Sequence, residues 1–170
     1  IVNAVILDSN QSQTPFSAGV SNPQTRTNIG PRVDYQITRD NTLTGRYQYS
    51  RDVRSNQGVG GFTLPSQAYD TLNTEQSLQL SDTQILGERA VNETRFRYED
   101  GQNNQTAQSL LFSERVTGAF NGGGGNRNSA TNSKNYELQN YTSLIARKHT
   151  LKFGGRLRAK RLPERNAPAP

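Results

Sequence analysis

The sequence predicts an all-β chain, an antiparallel meander of about six strands joined by short turns and long polar loops. Three observations carry that expectation. Apolar and polar residues alternate with period two in several separate stretches. The turns inside each hairpin are short, whereas the connections between hairpins are long and polar. The clearest hairpin, Asn135 to Lys160, has one apolar and one strongly basic face, and arms of about ten residues suit a tilted strand crossing a bilayer. Together they predict part of the wall of a transmembrane β-barrel.

Residues 1–30 begin with IVNAVIL, the possible end of a preceding strand, and continue as a polar, proline-punctuated stretch expected to be a long loop. The first hairpin is expected at about 31–50. Val33, Tyr35 and Ile37 fall on one face of its first arm, and Leu43, Gly45, Tyr47 and Tyr49 on one face of its second. A three-residue turn at Arg39-Asp40-Asn41 would pair Thr38 with Thr42 and Ile37 with Leu43, with Asn41 left-handed. Residues 51–73 read as a loop.

The second hairpin, about 75–99, turns at Gly87-Glu88-Arg89. Pairing Leu86 with Ala90 sets Leu80 opposite Phe96 and Leu78 opposite Tyr98. Asp82 and Asn92 share that otherwise apolar face, and a bulge is expected near Ser81-Asp82. Residues 100–134 read as a third long connection, with a short strand in SLLFSERV and a flexible GAFNGGGGNRNSATNS. In the third hairpin, 135–160, Ala146 paired with His149 sets Leu144, Thr142 and Leu138 opposite Leu151, Phe153 and Leu157. Residues 161–170 read as a polar, proline-rich tail.

Only 31% of the 170 residues are hydrophobic, which is poor for a private core and adequate for strands that need apolar residues on one face. The net charge of +6 does not indicate nucleic-acid binding, because the basic residues are dispersed at alternating strand positions without an aromatic-basic signature. Arg46, Arg95, Arg97, Lys152, Arg156 and Arg158 are expected to face a lumen or solvent. Tyr35, Tyr47, Leu80, Phe96, Leu138 and Phe153 are expected to face lipid or a partner.

No enzymatic chemistry is expected. The sole histidine, His149, sits beside a turn without a second histidine or paired carboxylates at ligand spacing, so no metal site, cofactor or catalytic group is assigned. Gly122 to Gly125 lack the Gly-Lys-Ser/Thr of a phosphate loop. The chain contains no cysteine, which excludes disulfides and thiolate metal sites.

The stretches SNPQTRTNIGPRVDYQITRDNTLTGRYQYSR, TEQSLQLSDTQILGERAVNETRFRY and YELQNYTSLIARKHTLKFGGRLR resemble the barrel portion of TonB-dependent outer-membrane receptors, particularly the Oar-like group. KHTLKFGG is the most specific phrase, a turn launching a strand into F-G-G. The resemblance implies a barrel of about 22 strands around a plug, and TonB-energised import of a scarce nutrient such as a siderophore or an oligomeric organic compound. The chain, lacking a plug-like segment, is expected to be a piece of that machine. Its expected partners are the rest of the barrel and plug, outer-membrane lipid and, through the parent, the TonB system. The alternative is a secreted structural or adhesive protein whose open strand edges self-associate into an oligomer or filament.

Overall fold

The computed structural model describes residues 1–10, 12–125 and 128–161. The strands are β1 (Val2–Leu7), β2 (Gln13–Ala18), β3 (Gln24–Ile29), β4 (Arg32–Thr38), β5 (Asn41–Gln57), β6 (Tyr69–Leu86), β7 (Ala90–Ala107), β8 (Ser113–Val116), β9 (Phe120–Gly123), β10 (Ser129–Ala146) and β11 (His149–Arg161). All pair antiparallel, apart from isolated bridges. A single 3₁₀ turn, Pro65–Gln67, is the one helical element among the described residues.

One large sheet dominates, ordered β11-β10-β7-β6-β5, with β3 and β4 both on the outer side of β5. β3 and β4 share one register against β5: Ile29 pairs with Tyr49 and Arg32 with Arg46. They are a single arm interrupted at Gly30-Pro31, where proline has no N–H for the ladder but its carbonyl accepts from the Tyr47 N–H at 3.1 Å. The sheet is therefore a wall of six arms.

The second and third hairpins pair as the alternation predicts. Leu86 faces Ala90, Leu80 faces Phe96, and Ala146, Leu144, Thr142 and Leu138 face His149, Leu151, Phe153 and Leu157. The pairing runs through Ser81 and Asp82 without the expected bulge, because both neighbouring strands stay in step there. The first hairpin differs. Thr38 pairs with Asn41 and Gln36 with Thr42, so the turn is the two residues Arg39-Asp40 and Ile37 is the extra residue of a bulge. The Asp40 N–H bonds Thr38 Oγ1 at 3.3 Å, and Asp40 O accepts from Ile85 N at 2.7 Å, docking the tight turn on β6. Asn41 is not left-handed; among the described residues the positive-φ residues other than glycine are Asn56 and Arg147. The register moves by an even number of residues, so Tyr35, Leu43, Gly45 and Tyr47 keep a common face.

The expected loops 51–73 and 100–134 are mostly strand. β5, β6, β7 and β10 each run for 17 or 18 residues, and the connections shrink to 58–68 and 108–128. Their far halves are mostly polar on both faces, the pair Val53 and Leu72 being an exception. Backbone pairing needs no apolar side chains, and cross-strand amides add bonds such as Asn103 Nδ2 to Asn73 Oδ1 at 2.5 Å. Such strands carry no alternation to read. Residues 1–30 likewise hold three strands instead of one strand end and a loop. Of SLLFSERV only SERV is strand, and Phe120–Gly123 of the glycine-rich stretch pairs with it. The tail beyond Arg161 lies outside the described residues.

The buried apolar side chains among the described residues are Val2, Ala4, Ala68 and Ala107, and none belongs to the amphipathic half of the wall. They gather at the end opposite the hairpin turns, where β1 meets the 58–68 connection and β9. Asn3 N bonds Gly61 O at 2.8 Å, Val5 N bonds Ala119 O at 3.2 Å, and Leu64 N bonds Asn121 O at 2.9 Å. This cap closes the far end. The rest of the wall is one layer thick, leaving Leu138 45% and Phe153 59% exposed.

Candidate functional site: the two faces of the wall

Directly paired residues share a face, so the register sorts the wall into rows. On the apolar face one row is Tyr47, Leu78, Tyr98 and Tyr136, and the next is Val33, Gly45, Leu80, Phe96, Leu138 and Leu157. Tyr98 and Tyr136 lie 5.1 Å apart between ring centroids. Tyr47 donates to Gln76 Oε1 at 3.1 Å and Tyr98 to Asp100 Oδ2 at 3.3 Å, both toward the capped end. The tyrosines thus form a boundary: apolar rows toward the turns, polar rows such as Gln76, Asp100 and Lys134 beyond.

Of the expected apolar-face residues, the structure gathers Tyr47, Leu80, Phe96 and Leu138 into these two adjoining rows. Tyr35 and Phe153 lie nearer the turns and toward opposite edges of the sheet. Between them runs a polar strip: Asn140 Nδ2 donates to Thr94 Oγ1 at 2.8 Å and Asn92 Nδ2 to Thr142 Oγ1 at 2.8 Å, and Asp82 accepts from Gln84 at 2.7 Å. Of this strip, Asp82, Asn92 and Thr142 were placed on the face by the sequence. The others became visible once the register joined three strands.

The opposite face is charged. Arg46, Gln79, Arg97, Glu137 and Arg158 form one row, Ser81, Arg95, Gln139 and Arg156 the next, and Lys152 lies nearer the turns, 5.3 Å from the centre of the Tyr141 ring. Several of the basic residues are not free cations. Arg95 pairs with Glu93 at 2.5 Å, Arg97 with Glu99 at 2.5 Å, and Arg158 with Glu137. Alternation explains the local pairs, since a carboxylate two residues along the same strand falls beside the arginine. A groove of about 690 Å³ crosses this face, lined by Arg26, Asn28, Gln48, Glu75, Arg97 and Glu99 among others.

Near the cap Asp52 is buried and accepts from Gln24 Nε2 at 2.9 Å and Arg54 Nη2 at 3.1 Å, tying β3 to β5. Hydrogen bonding from Arg54 first, and then from Gln24, holds its carboxyl below the ordinary aspartate range against the opposing effect of burial. Among the described residues no three histidine, cysteine, aspartate or glutamate side chains cluster as a metal site would. No helix among them is long and apolar enough to cross a membrane, which says nothing of crossing by strands.

A six-arm antiparallel wall with one apolar and one charged face accords with a comparison of whole families: a model of the outer membrane beta barrel domain matches residues 2–170. The chain belongs to that family. It is a protein of the outer membrane, and its wall is part of a membrane barrel. No curated protein and no solved structure matches it.

Proposed function

We propose that this outer membrane barrel domain is part of the wall of a TonB-dependent receptor that imports a scarce nutrient, with its apolar face toward lipid and its charged face toward the lumen. The observation that carries this reading is the pairing of two opposite faces in one register, bounded by a tyrosine row in which the hydroxyls of Tyr47 and Tyr98 turn toward the polar half. From Ala90 to Glu99 the strand is about as long as a tilted bilayer crossing requires, and the remaining half of each long strand extends into water. The polar strip near the turns sits toward the inner headgroups, its amides and hydroxyls largely bonded to one another.

The lumen wall is suited to a plug or to a hydrophilic ligand, because its ion pairs present both charges instead of a uniform field. The open edges, β11 on one side and β3 with β4 on the other, pair with neighbouring strands of the complete barrel. The experiment is a pull-down of the full-length protein from outer-membrane detergent extracts with the periplasmic domain of TonB, together with uptake measured with and without TonB. Binding and TonB-dependent uptake support an energised importer. A barrel that neither binds TonB nor loses uptake without it contradicts this function.

A further inference from the structure

The charged-face groove lies just beyond the tyrosine row, toward the cap, and so at the outer mouth of the lumen in the reading proposed above, on which this inference rests. Its lining includes Arg26, Glu75 and the Arg97–Glu99 ion pair. On β3 stands Arg26, opposite Asp52 in the pairing, but that carboxylate is already held by Arg54 and Gln24. On β6 stands Glu75, which makes no side-chain hydrogen bond or ion pair among the described residues. Opposite Glu75 on β7 is Gly101, which contributes no side chain there and leaves room that only the Ser133 hydroxyl approaches, and Glu99, paired with Arg97, lies two residues along β7.

Between Arg26 and Glu75 lie two strand-to-strand steps and an offset of two residues, a separation of about 12 Å between their backbones. Asn28 and Ser50, in the row of Glu75, and Gln48 and Ser77, in the next row toward the turns, supply neutral donors and acceptors. Tyr49, the aromatic residue among those lining the groove, has the parity of the opposite face, so the floor offers no ring for stacking a sugar or a catechol.

We infer that this groove binds a zwitterionic oligopeptide of about three or four residues, with its α-carboxylate at Arg26 and its α-ammonium at Glu75, beside the Arg97–Glu99 ion pair. An extended peptide advances about 3.3–3.6 Å per residue, so that length spans the two charges. Its backbone amides meet the side-chain amides and hydroxyls between them. A cation and a carboxylate at fixed separation select a ligand by both ends, whereas an anionic ferric chelate would meet the unpaired Glu75 as repulsion.

The test uses the purified full-length protein in detergent, with tetra-alanine as the probe and titration calorimetry as the readout. Free tetra-alanine binds, and N-acetylation or C-amidation each weakens binding at least tenfold. Glu75→Gln removes the penalty of acetylation, Arg26→Gln removes the penalty of amidation, and Glu75→Asp retains much of the binding. Heat-modifiable gel mobility shows that each variant is a folded barrel. Equal binding of the doubly capped peptide, no binding of the free peptide, or variants that leave both penalties intact overturns the inference. TonB capture in the same preparations separates the two claims. A protein that binds TonB but not tetra-alanine is an importer of something else, and one that binds the peptide but not TonB keeps the site and loses the importer.

Discussion

The two halves of the wall are built from the same strands on different principles. From the hairpin turns to the row of Tyr47, Tyr98 and Tyr136, apolar rows largely stand against charged ones, and the layer has no core beneath it. Beyond that row the strands continue with mostly polar residues on both faces, yet this half carries the buried Val2, Ala4, Ala68 and Ala107 in the cap at its end. An aqueous extension must supply its own packing. A segment in lipid can leave its apolar face uncovered, because the solvent there is itself apolar.

The largest effect that separates the halves is a charge on the apolar face. Leu80→Arg, in the row beside the tyrosines, is expected to destabilise the assembled barrel by about 2–4 kcal/mol in a lipid-refolding titration. Phe153→Arg, in the row of Asn92 and a little farther from the middle of the Ala90–Glu99 crossing, is expected to cost somewhat less, because depth governs the penalty. Lys152→Gln beside it is expected to be almost silent. Equal costs for Leu80→Arg and Lys152→Gln would erase the distinction between faces.

In the capped half the sensitive position is a small buried residue. Ala68→Leu is expected to cost about 1–3 kcal/mol by overpacking and to expose the 58–68 connection to protease, while refolding of the inner half is unchanged. Loss of the whole barrel would show that cap and wall are a single cooperative unit.

How much of this was legible in the sequence follows the same division. The registers of the second and third hairpins were readable to the residue, because the short turns at Gly87-Glu88-Arg89 and Arg147-Lys148 choose among the registers that keep the faces, and set Leu80 against Phe96 and Leu138 against Leu157. The first was misread by two residues, since the bulge at Ile37 leaves the faces intact and alternation alone cannot detect it. The outer extensions were read as loops because Asn73, Asn103 and their neighbours pair without any apolar signal. For the charged face, the arginines were visible, but the ion pairs and the groove depend on which strands lie side by side.

Acidity probes the seam between the halves. The folded carboxyl of Asp52 is held below its ordinary value of 3.8, so its contribution is complete above that pH and is lost as pH falls through the lowered value. Hydrogen exchange at β3 is expected to quicken in that acidic range for the native protein, and Asp52→Asn is expected to remove the pH dependence. A pH dependence unchanged in Asp52→Asn would assign the seam to other groups. The smallest effect belongs to the exposed amide pair of the outer half, where Asn103→Ala is expected to cost about 0.2–1 kcal/mol in the same exchange measurement.

This chain carries no cysteine of its own, so once any cysteine elsewhere in the full-length protein is replaced, the central claim is directly measurable. Single cysteines at Arg95, Phe96, Arg97 and Tyr98 in the full-length barrel, labelled with a small fluorophore and reconstituted with brominated lipid, report which side of β7 each position faces. Strong quenching at Phe96 and Tyr98 with little at Arg95 and Arg97 is the result this account predicts; uniform quenching, or the reverse alternation, would contradict it.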